Sequence, residues 1–178
     1  MKKQIVKFMS MTAIVIMSSN QTKAQGFKAE QYAKTASITL NGSIEKVFPL
    51  FGAIEEKKWA EGWNPVPIFP ESGDMQEGLI FQTPDHVHKG AIVTWVVASY
   101  DVGHHMVKYI VTAPDRLMFI SVYCSEQSAN VTKADITYKL TGLSPEGNEI
   151  SHHLLAKIFE NSLKDWETAI NNYLGKSN

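Results

Sequence analysis

The chain has a single cysteine, Cys124, among its 178 residues, so no disulfide can form within it. Cys124 lies in an apolar, strand-like stretch, where a free cysteine is more often a buried core residue than a nucleophile. The sequence also contains no Gly-x-Ser-x-Gly, no glycine-rich phosphate loop and no His-Glu-x-x-His. Hydrolases, nucleotide-binding enzymes and zinc proteases that depend on these motifs are therefore not favoured.

An excess of positive charge is also missing. The chain has 17 Lys and Arg residues against 18 Asp and Glu residues, which makes the formal net charge −1. Nucleic acids and anionic membrane surfaces attract basic proteins, so neither is an expected partner.

The N-terminus has the pattern of a secretory signal peptide. Lysines within the first seven residues precede an apolar run, Phe8 to Met17, and a polar stretch that ends at Ala24. The run is too short to span a bilayer, so we predict cleavage after Ala24, export to the periplasm or beyond, and no stable membrane anchor afterwards. A retained N-terminal anchor is the alternative. Residues 1–24 are thus a predicted signal peptide, residues 25–32 a flexible lead-in and residues 33–175 one folded domain.

The domain begins with a predicted strand and two short helices. Apolar and polar residues alternate over residues 33–41, which is typical of a half-buried strand. Helical patterns follow over residues 43–51 and 54–61. Next comes a proline-rich loop, residues 64–70, which cannot hold regular structure for long.

Most of the remaining chain is predicted to form an antiparallel sheet, because its apolar segments are joined by short turns. The predicted strands are Gly78 to Thr83, Gly90 to Tyr100, His105 to Thr112, Leu117 to Ser125 and Val131 to Leu143. A two-residue turn at Val102-Gly103 would pair Tyr109 with Val96 and direct Trp95 to the outer face of the sheet. A shift of one residue in that turn would reverse the faces.

A long amphipathic segment closes the chain. From Pro145 to Tyr173, apolar residues recur at steps of three and four, which predicts one continuous helix of about 29 residues with a broad apolar stripe. Such a stripe needs an apolar partner of similar length, and the curved sheet supplies it.

Local strings along the whole domain resemble one known superfamily. They are VFPLF, KKWAEGWNP, GDMQEGLIF, TWVVASYD, ITYKLTGLSPEGNE and DWETAINNYL. Through these strings, residues 34–174 resemble members of the SRPBCC superfamily, which is also called START-like or polyketide cyclase/dehydrase-like. The resemblance implies the α+β helix-grip fold (START-like or Bet v 1-like). In this fold a curved antiparallel β-sheet wraps around a long C-terminal α-helix, two short helices follow the first strand, and a cavity remains between sheet and helix.

The same resemblance implies several functions, because members of the superfamily bind lipids, sterols, plant hormones or polyketides, and some catalyse cyclisation or dehydration. The first interpretation is an exported carrier of a small hydrophobic, lipid-like or polyketide-like molecule. The second is a cyclase or dehydratase that uses the same cavity. The third is a protein-interaction or stress-response module.

Aromatic residues are the best candidates for ligand contact. Trp59 and Trp63 are four residues apart at the end of the second short helix, so they share a face near the mouth of the implied cavity. Rings of this kind would form an apolar pocket with a few indole and hydroxyl groups for hydrogen bonding. The alternative for each ring is that it fills the core. The other predicted ligand-binding residues are Phe81, His88, Tyr109, Tyr138, Phe159 and Trp166.

No cofactor, metal site or catalytic residue is predicted. His86 and His88 are two residues apart, but no third metal ligand accompanies them. No carboxylate is predicted inside the pocket, since Asp135 points outward by alternation. Arg116 is predicted to lie at a turn. The stretch Ile92 to Val97 is apolar on both faces, so a partner protein or a second copy of the chain, as in a homodimer, could cover its outer side, and a small surface patch is the alternative.

Overall fold

The computed structural model describes residues 26–176, and the predicted signal peptide lies outside this range. The strands are β1 (Gln31–Leu40), β2 (Val66–Phe69), β3 (Ile80–Pro84), β4 (Ile92–Asp101), β5 (Met106–Thr112), β6 (Arg116–Ser128) and β7 (Val131–Gly142). The helices are α1 (Ile44–Val47), α2 (Pro145–Ile158) and α3 (Lys164–Lys176), with 3₁₀ helices at Phe48–Phe51 and Glu55–Lys58.

The described strands form one antiparallel sheet in the order β1-β7-β6-β5-β4-β3-β2. Its longest strands, β6 and β7, lie near one edge and carry the clearest alternation. Ala134, Ile136, Tyr138 and Leu140 are buried on the inner face of β7, as their spacing predicts. The helices cover this inner face, so the core lies between sheet and helices.

The first strand starts within the predicted lead-in, at Gln31. The backbone before it is held by one side chain, because Asn148 in α2 accepts a hydrogen bond from Glu30 N at 2.9 Å and donates one to Lys28 O at 2.9 Å. These contacts come from a distant helix, so the local sequence pattern does not reveal them.

The proline-rich loop contains a short edge strand that the sequence analysis did not predict. Strand β2 pairs with β3 through Val66 opposite Gln82 and Pro67 opposite Phe81. A proline is tolerated there because an edge strand needs hydrogen bonds on only one side.

The predicted pairing of β4 with β5 is wrong by one residue near Trp95. Tyr109 pairs with Val97 instead of Val96, and Trp95 pairs with Val111. The connection between the strands has four residues instead of the predicted two, and within it the Asp101 side chain accepts a hydrogen bond from His104 N at 3.0 Å. This lengthening alone would keep each side chain on its predicted face, but a β-bulge between Val97 and Ser99 shifts the register by one residue beyond it. The shift turns Trp95 to the inner face, where its indole N–H donates to Thr83 Oγ1 at 3.0 Å.

The C-terminal segment is two helices instead of the predicted single one. Helix α2 ends at Ile158, and α3 begins at Lys164 after Ser162 and Leu163 adopt left-handed φ angles of 55° and 62°. This conformation costs about 1 to 2 kcal/mol per residue, and burial of the Leu163 side chain offsets part of it. Within residues 26–176, no helix has both the length and the apolar composition required to cross a bilayer.

Cys124 is part of the core. Its side chain is buried in β6, and burial, with a smaller contribution from the Asp135 charge, raises the pKa of the thiol to about 12. The thiol is therefore protonated and inaccessible at neutral pH, which agrees with a structural role.

An apolar stripe crosses the outer face of the sheet. It runs over directly paired residues of neighbouring strands, and its two ends are the exposed rings of Phe69 and Phe119. The residues between them are Ile80, Val96 and Ile110. The homodimer expected from the outer face of β4 stays a prediction.

Candidate functional site

A cavity of about 360 Å³ lies between the inner face of the sheet, the second 3₁₀ helix and the C-terminal helices. This volume falls in the range of small-molecule sites, about 300 to 1,000 Å³. All four tryptophans of the chain line it: Trp59, Trp63, Trp95 and Trp166. They pack edge to face, with ring centroids 5.3 Å apart for Trp59 and Trp166 and 5.3 Å apart for Trp63 and Trp95. The cavity wall is therefore rich in aromatic rings.

The structure brings most of the predicted aromatic residues together at this wall. Those that line the cavity are Trp59, Trp63, Tyr109, Tyr138 and Trp166. Trp95 joins them because of the register of β4.

Three predicted residues do not line the cavity. Phe81 is buried behind Trp95 and stacks on it, with centroids 5.4 Å apart. Phe159 packs edge-on against Tyr138 at 5.7 Å and belongs to the core. His88 lies in the β3–β4 loop and directs Nε2 to Asp115 Oδ2 at 2.8 Å. These positions follow from tertiary contacts, which spacing along the chain does not show.

Several wall aromatics already use their polar atoms within the protein. Trp59 Nε1 donates to Leu50 O at 2.7 Å, and Trp63 Nε1 donates to Ala53 O at 2.7 Å. The Tyr109 hydroxyl donates to Phe51 O at 2.6 Å. These bonds fix the rings against the segment 48–54, so the indoles offer a ligand their surfaces rather than the N–H groups predicted as handles.

A carboxylic acid enters the cavity, contrary to the sequence-based prediction. Glu56 lines the wall and forms no side-chain hydrogen bond or ion pair with any residue from 26 to 176, whereas its neighbour Glu55 pairs with Lys58 on the outside. Burial raises the pKa of Glu56 to about 8. A signal was present all the same, since Glu56 precedes Trp59 by three residues and Trp63 by seven, which places all three on one helical face.

A phenol shares the cavity with this carboxylic acid. The Tyr138 hydroxyl makes no hydrogen bond within the described chain, and Tyr138 lines the cavity. Burial and then the nearby charge of Glu56 raise the pKa of Tyr138 and of Tyr109 above the usual value for tyrosine. Both phenols therefore stay protonated at neutral pH, and Tyr138 is free to donate a hydrogen bond to a ligand.

A buried ion cluster forms another part of the wall. Arg116, 1% exposed, donates from Nη2 to Asp85 Oδ1 at 2.6 Å and from Nη1 to Asp115 Oδ1 at 2.7 Å. Arg116 was predicted to lie at a turn, but it is a buried residue at the start of β6. Among the described residues, no partner reaches Asp85 Oδ2 or Arg116 Nε. Two carboxylates surround one guanidinium, so no positive charge is left over for a ligand.

The cavity opens to solvent between α2 and the β3–β4 loop. A depression of about 810 Å³ lies outside it, and Leu154 and Ile158 line both spaces. Glu146, Glu149 and Asp165 line the depression, and Lys157 is the only lysine or arginine among the described residues that line it. The route into the cavity is therefore predominantly acidic.

The two histidines considered as metal ligands are directed to different places. His86 lines the cavity, whereas His88 bonds to Asp115. Over residues 26–176, no three His, Cys, Asp or Glu side chains come together in a metal-binding group.

No family model matches the chain, and no curated protein matches it by sequence. Solved structures do match. A norcoclaurine synthase from Thalictrum flavum, in complex with dopamine and hydroxybenzaldehyde, is 12% identical with a TM-score of 0.63, over 97% of this chain and 99% of that one. An aromatase/cyclase from Streptomyces sp. R1128 is 15% identical with a TM-score of 0.59, over 80% and 93%. A solution structure from Thermobifida fusca is 12% identical with a TM-score of 0.61, over 79% and 92%. At these identities the similarity shows the fold alone, and that fold is the α+β helix-grip fold, with a curved antiparallel sheet around the C-terminal helices.

Proposed function

We propose that this protein binds a small, largely apolar molecule in the cavity between its sheet and its C-terminal helices. The observation that carries the proposal is the aromatic wall, because all four tryptophans of the chain meet around one space of about 360 Å³ that opens to solvent. Burial of a ligand's apolar surface against such a wall supplies most of the binding free energy. The norcoclaurine synthase structure holds dopamine and hydroxybenzaldehyde, both small aromatic molecules, within the same fold.

The cavity favours compact ligands. Its volume is near the lower end for small-molecule sites, and six tryptophan and tyrosine rings form part of its wall. A molecule with one or two rings fits this space better than a long-chain lipid, so among the ligands that the resemblance implies we favour the ring-containing, polyketide-like class.

Leu154 provides a direct test, because it lines both the cavity and its opening. Replacing Leu154 with Trp narrows the passage, and we expect binding of the neutral fluorescent probe N-phenyl-1-naphthylamine to weaken by at least about tenfold. The probe's fluorescence, titrated with protein, measures this affinity. The matched control is Leu143→Trp, which adds the same side chain at an exposed position, 52% accessible, outside the cavity wall. Equal probe affinity for the two variants would show that apolar molecules bind elsewhere.

Glu56 and Tyr138 favour an acid–base enzyme as the second candidate. A group that transfers protons works best when its pKa lies near the working pH, and the pKa of Glu56 is raised to about 8 beside an available phenol. Native mass spectrometry of protein purified from its own host identifies any retained molecule. A carrier returns that molecule unchanged after incubation, whereas an enzyme converts it to a product of different mass or structure.

We also propose that the protein is exported. The support is the sequence of residues 1–24, with its early lysines, short apolar run and polar end at Ala24. Mass analysis of the protein from its host is expected to give a chain that begins at Gln25. A chain that still carries Met1 would contradict export by cleavage.

A further inference from the structure

We propose that the ligand of this cavity carries a positive charge, and that it is an ammonium compound with an aromatic or branched apolar body whose cationic group lies against Glu56 between the tryptophan rings. This inference rests on the proposed function, since it assigns a chemical class to the molecule bound at the same site.

The first observation is a carboxyl group without a partner. Glu56 lies inside a largely apolar cavity and has no hydrogen-bond donor or cation within the described chain. Glu56 is half-buried, and a carboxyl group enclosed by a largely apolar wall stays neutral or binds a counter-charge from outside the protein. Its neighbours Lys57 and Lys58 are exposed, and Lys58 already pairs with Glu55. A ligand cation would supply the charge that the protein does not.

The second observation is the set of rings around the same space. The ring centroids are 5.3 Å apart for Trp59 and Trp166 and also 5.3 Å apart for Trp63 and Trp95. The ring centroid of Tyr109 lies 6.0 Å from that of Trp95. The faces of aromatic rings carry partial negative charge, and several such faces around one site attract quaternary ammonium groups, most strongly where water is excluded. A carboxylate beside these rings adds a full negative charge.

The third observation is the charge along the entry route. Glu146, Glu149 and Asp165 line the outer depression against Lys157. Inside, Asp85 and Asp115 both accept hydrogen bonds from Arg116, so the guanidinium offers no unbalanced positive charge to an anion. The electrostatic potential along the entry route and at the cavity wall therefore favours binding of cations over anions of similar shape.

Binding of a cation should be coupled to proton release. In the empty protein Glu56 is mostly protonated at pH 7, because burial raises its pKa to about 8. A bound cation favours the ionised form and lowers that pKa, so affinity is expected to rise as the pH increases toward 8 and to level off above it. The charges of Tyr109 and Tyr138 interact with that of Glu56, and both phenols stay protonated over this range. The other titratable groups at the cavity wall are Glu61, Asp85, His86 and Arg116.

Two probes of nearly equal shape test the proposal. Benzyltrimethylammonium carries a permanent charge that does not titrate, and neopentylbenzene has a carbon atom in place of the nitrogen. Quenching of the wall tryptophans is expected to show that the cation binds the wild-type protein at least about tenfold more tightly than the neutral probe at pH 8.5. Calorimetry at pH 7 in buffers of different ionisation enthalpy is expected to show release of close to one proton per bound cation.

The variant Glu56→Gln removes the charge and keeps the shape. We expect it to lose the preference for the cation and the rise of affinity with pH, while its affinity for neopentylbenzene stays within about twofold of wild type. The matched control is Glu55→Gln, which changes the adjacent acid on the outer surface and should retain the preference for the cation.

The outcomes separate this inference from the proposed function. Equal binding of both probes by the wild-type protein would overturn the charged-ligand assignment and leave the apolar binding site supported. A cation preference that persists unchanged in Glu56→Gln would also overturn it. Failure of both probes to bind would count against the proposed function itself.

Discussion

Replacing Arg116 with Met is expected to lower the free energy of unfolding by about 3 to 5 kcal/mol at pH 7. Arg116 is buried and holds Asp85 at 2.6 Å and Asp115 at 2.7 Å. Without the guanidinium, Asp85 lies at the largely apolar cavity wall without its cation, and Asp115 keeps only its contact with His88. Methionine fills part of the space of the side chain, so the loss arises mainly from unpaired charge rather than from a void.

The pH dependence of this loss identifies its cause. Burial tends to raise the pKa of Asp115, but the hydrogen bond with His88 and the charge of Arg116 together lower it. A carboxyl group with a lowered pKa stabilises the folded protein above its unfolded pKa, about 4, and this stabilisation is lost as the pH falls through the folded value. The Met variant loses the contribution of Arg116 but keeps the hydrogen bond with His88, so its deficit in the free energy of unfolding should shrink in part below about pH 4.

Urea denaturation of wild type and Arg116→Met at pH 7 and pH 3.5 measures both effects. Arg116→Lys is the matched control, because it keeps the charge but cannot reach both carboxylates with one planar group, and an intermediate loss is expected. A Met variant as stable as wild type at pH 7 would show that the ion cluster makes no net contribution.

Replacing Gly147 with Ala is expected to cost about 3 kcal/mol, although helix propensity alone predicts a gain of about 1 kcal/mol. Gly147 lies in the first turn of α2, where a Cβ atom would overlap the carbonyl oxygen of Asp115 and lie 3.2 Å from Ser144 Oγ. Ser144 caps this helix by accepting a hydrogen bond from Gly147 N at 2.9 Å. Asp115 O also accepts a hydrogen bond from Leu143 N at 2.8 Å, so neither the helix nor the turn can move without losing a contact.

Thermal and urea unfolding of Gly147→Ala measure this cost. Gly175→Ala is the matched control, because Gly175 also lies in a helix but a Cβ there meets no atom within 4 Å. We expect the control to be neutral or slightly more stable than wild type. Similar behaviour of the two variants would mean that α2 is not packed closely on the turn that contains Asp115.

Both predictions concern one turn, and that turn links the stability of the fold to the shape of the cavity. Asp115 contacts the start of α2 through its carbonyl oxygen and the Arg116 cluster through its carboxylate. Helix α2 in turn carries Leu154 and Ile158 to the opening. A change at this turn is therefore expected to alter ligand access as well as stability.

Much of the fold could be predicted from local pattern. Alternation in residues 131–143 identified the buried face of β7, and the helical period of the last segment located the helices that cover the sheet. These predictions succeed because each depends on neighbours two to four residues apart, which secondary structure places on one face. The candidate site was predicted less completely, since Phe81, His88 and Phe159 do not line the cavity while Trp95 and Glu56 do.

The amino-acid sequence by itself determined the order of strands and helices, the antiparallel sheet, and the supply of aromatic side chains from which a binding wall is built. Only the tertiary structure decided that a β-bulge after Val97 brings Trp95 inward, that the last predicted helix breaks after Ile158, and that Glu56 enters the cavity without a partner among the described residues. It also decided that Arg116 meets Asp85, 31 residues away. The physical reason is that register, breaks and buried charges depend on the balance of packing and desolvation among distant segments, which short-range periodicity does not contain.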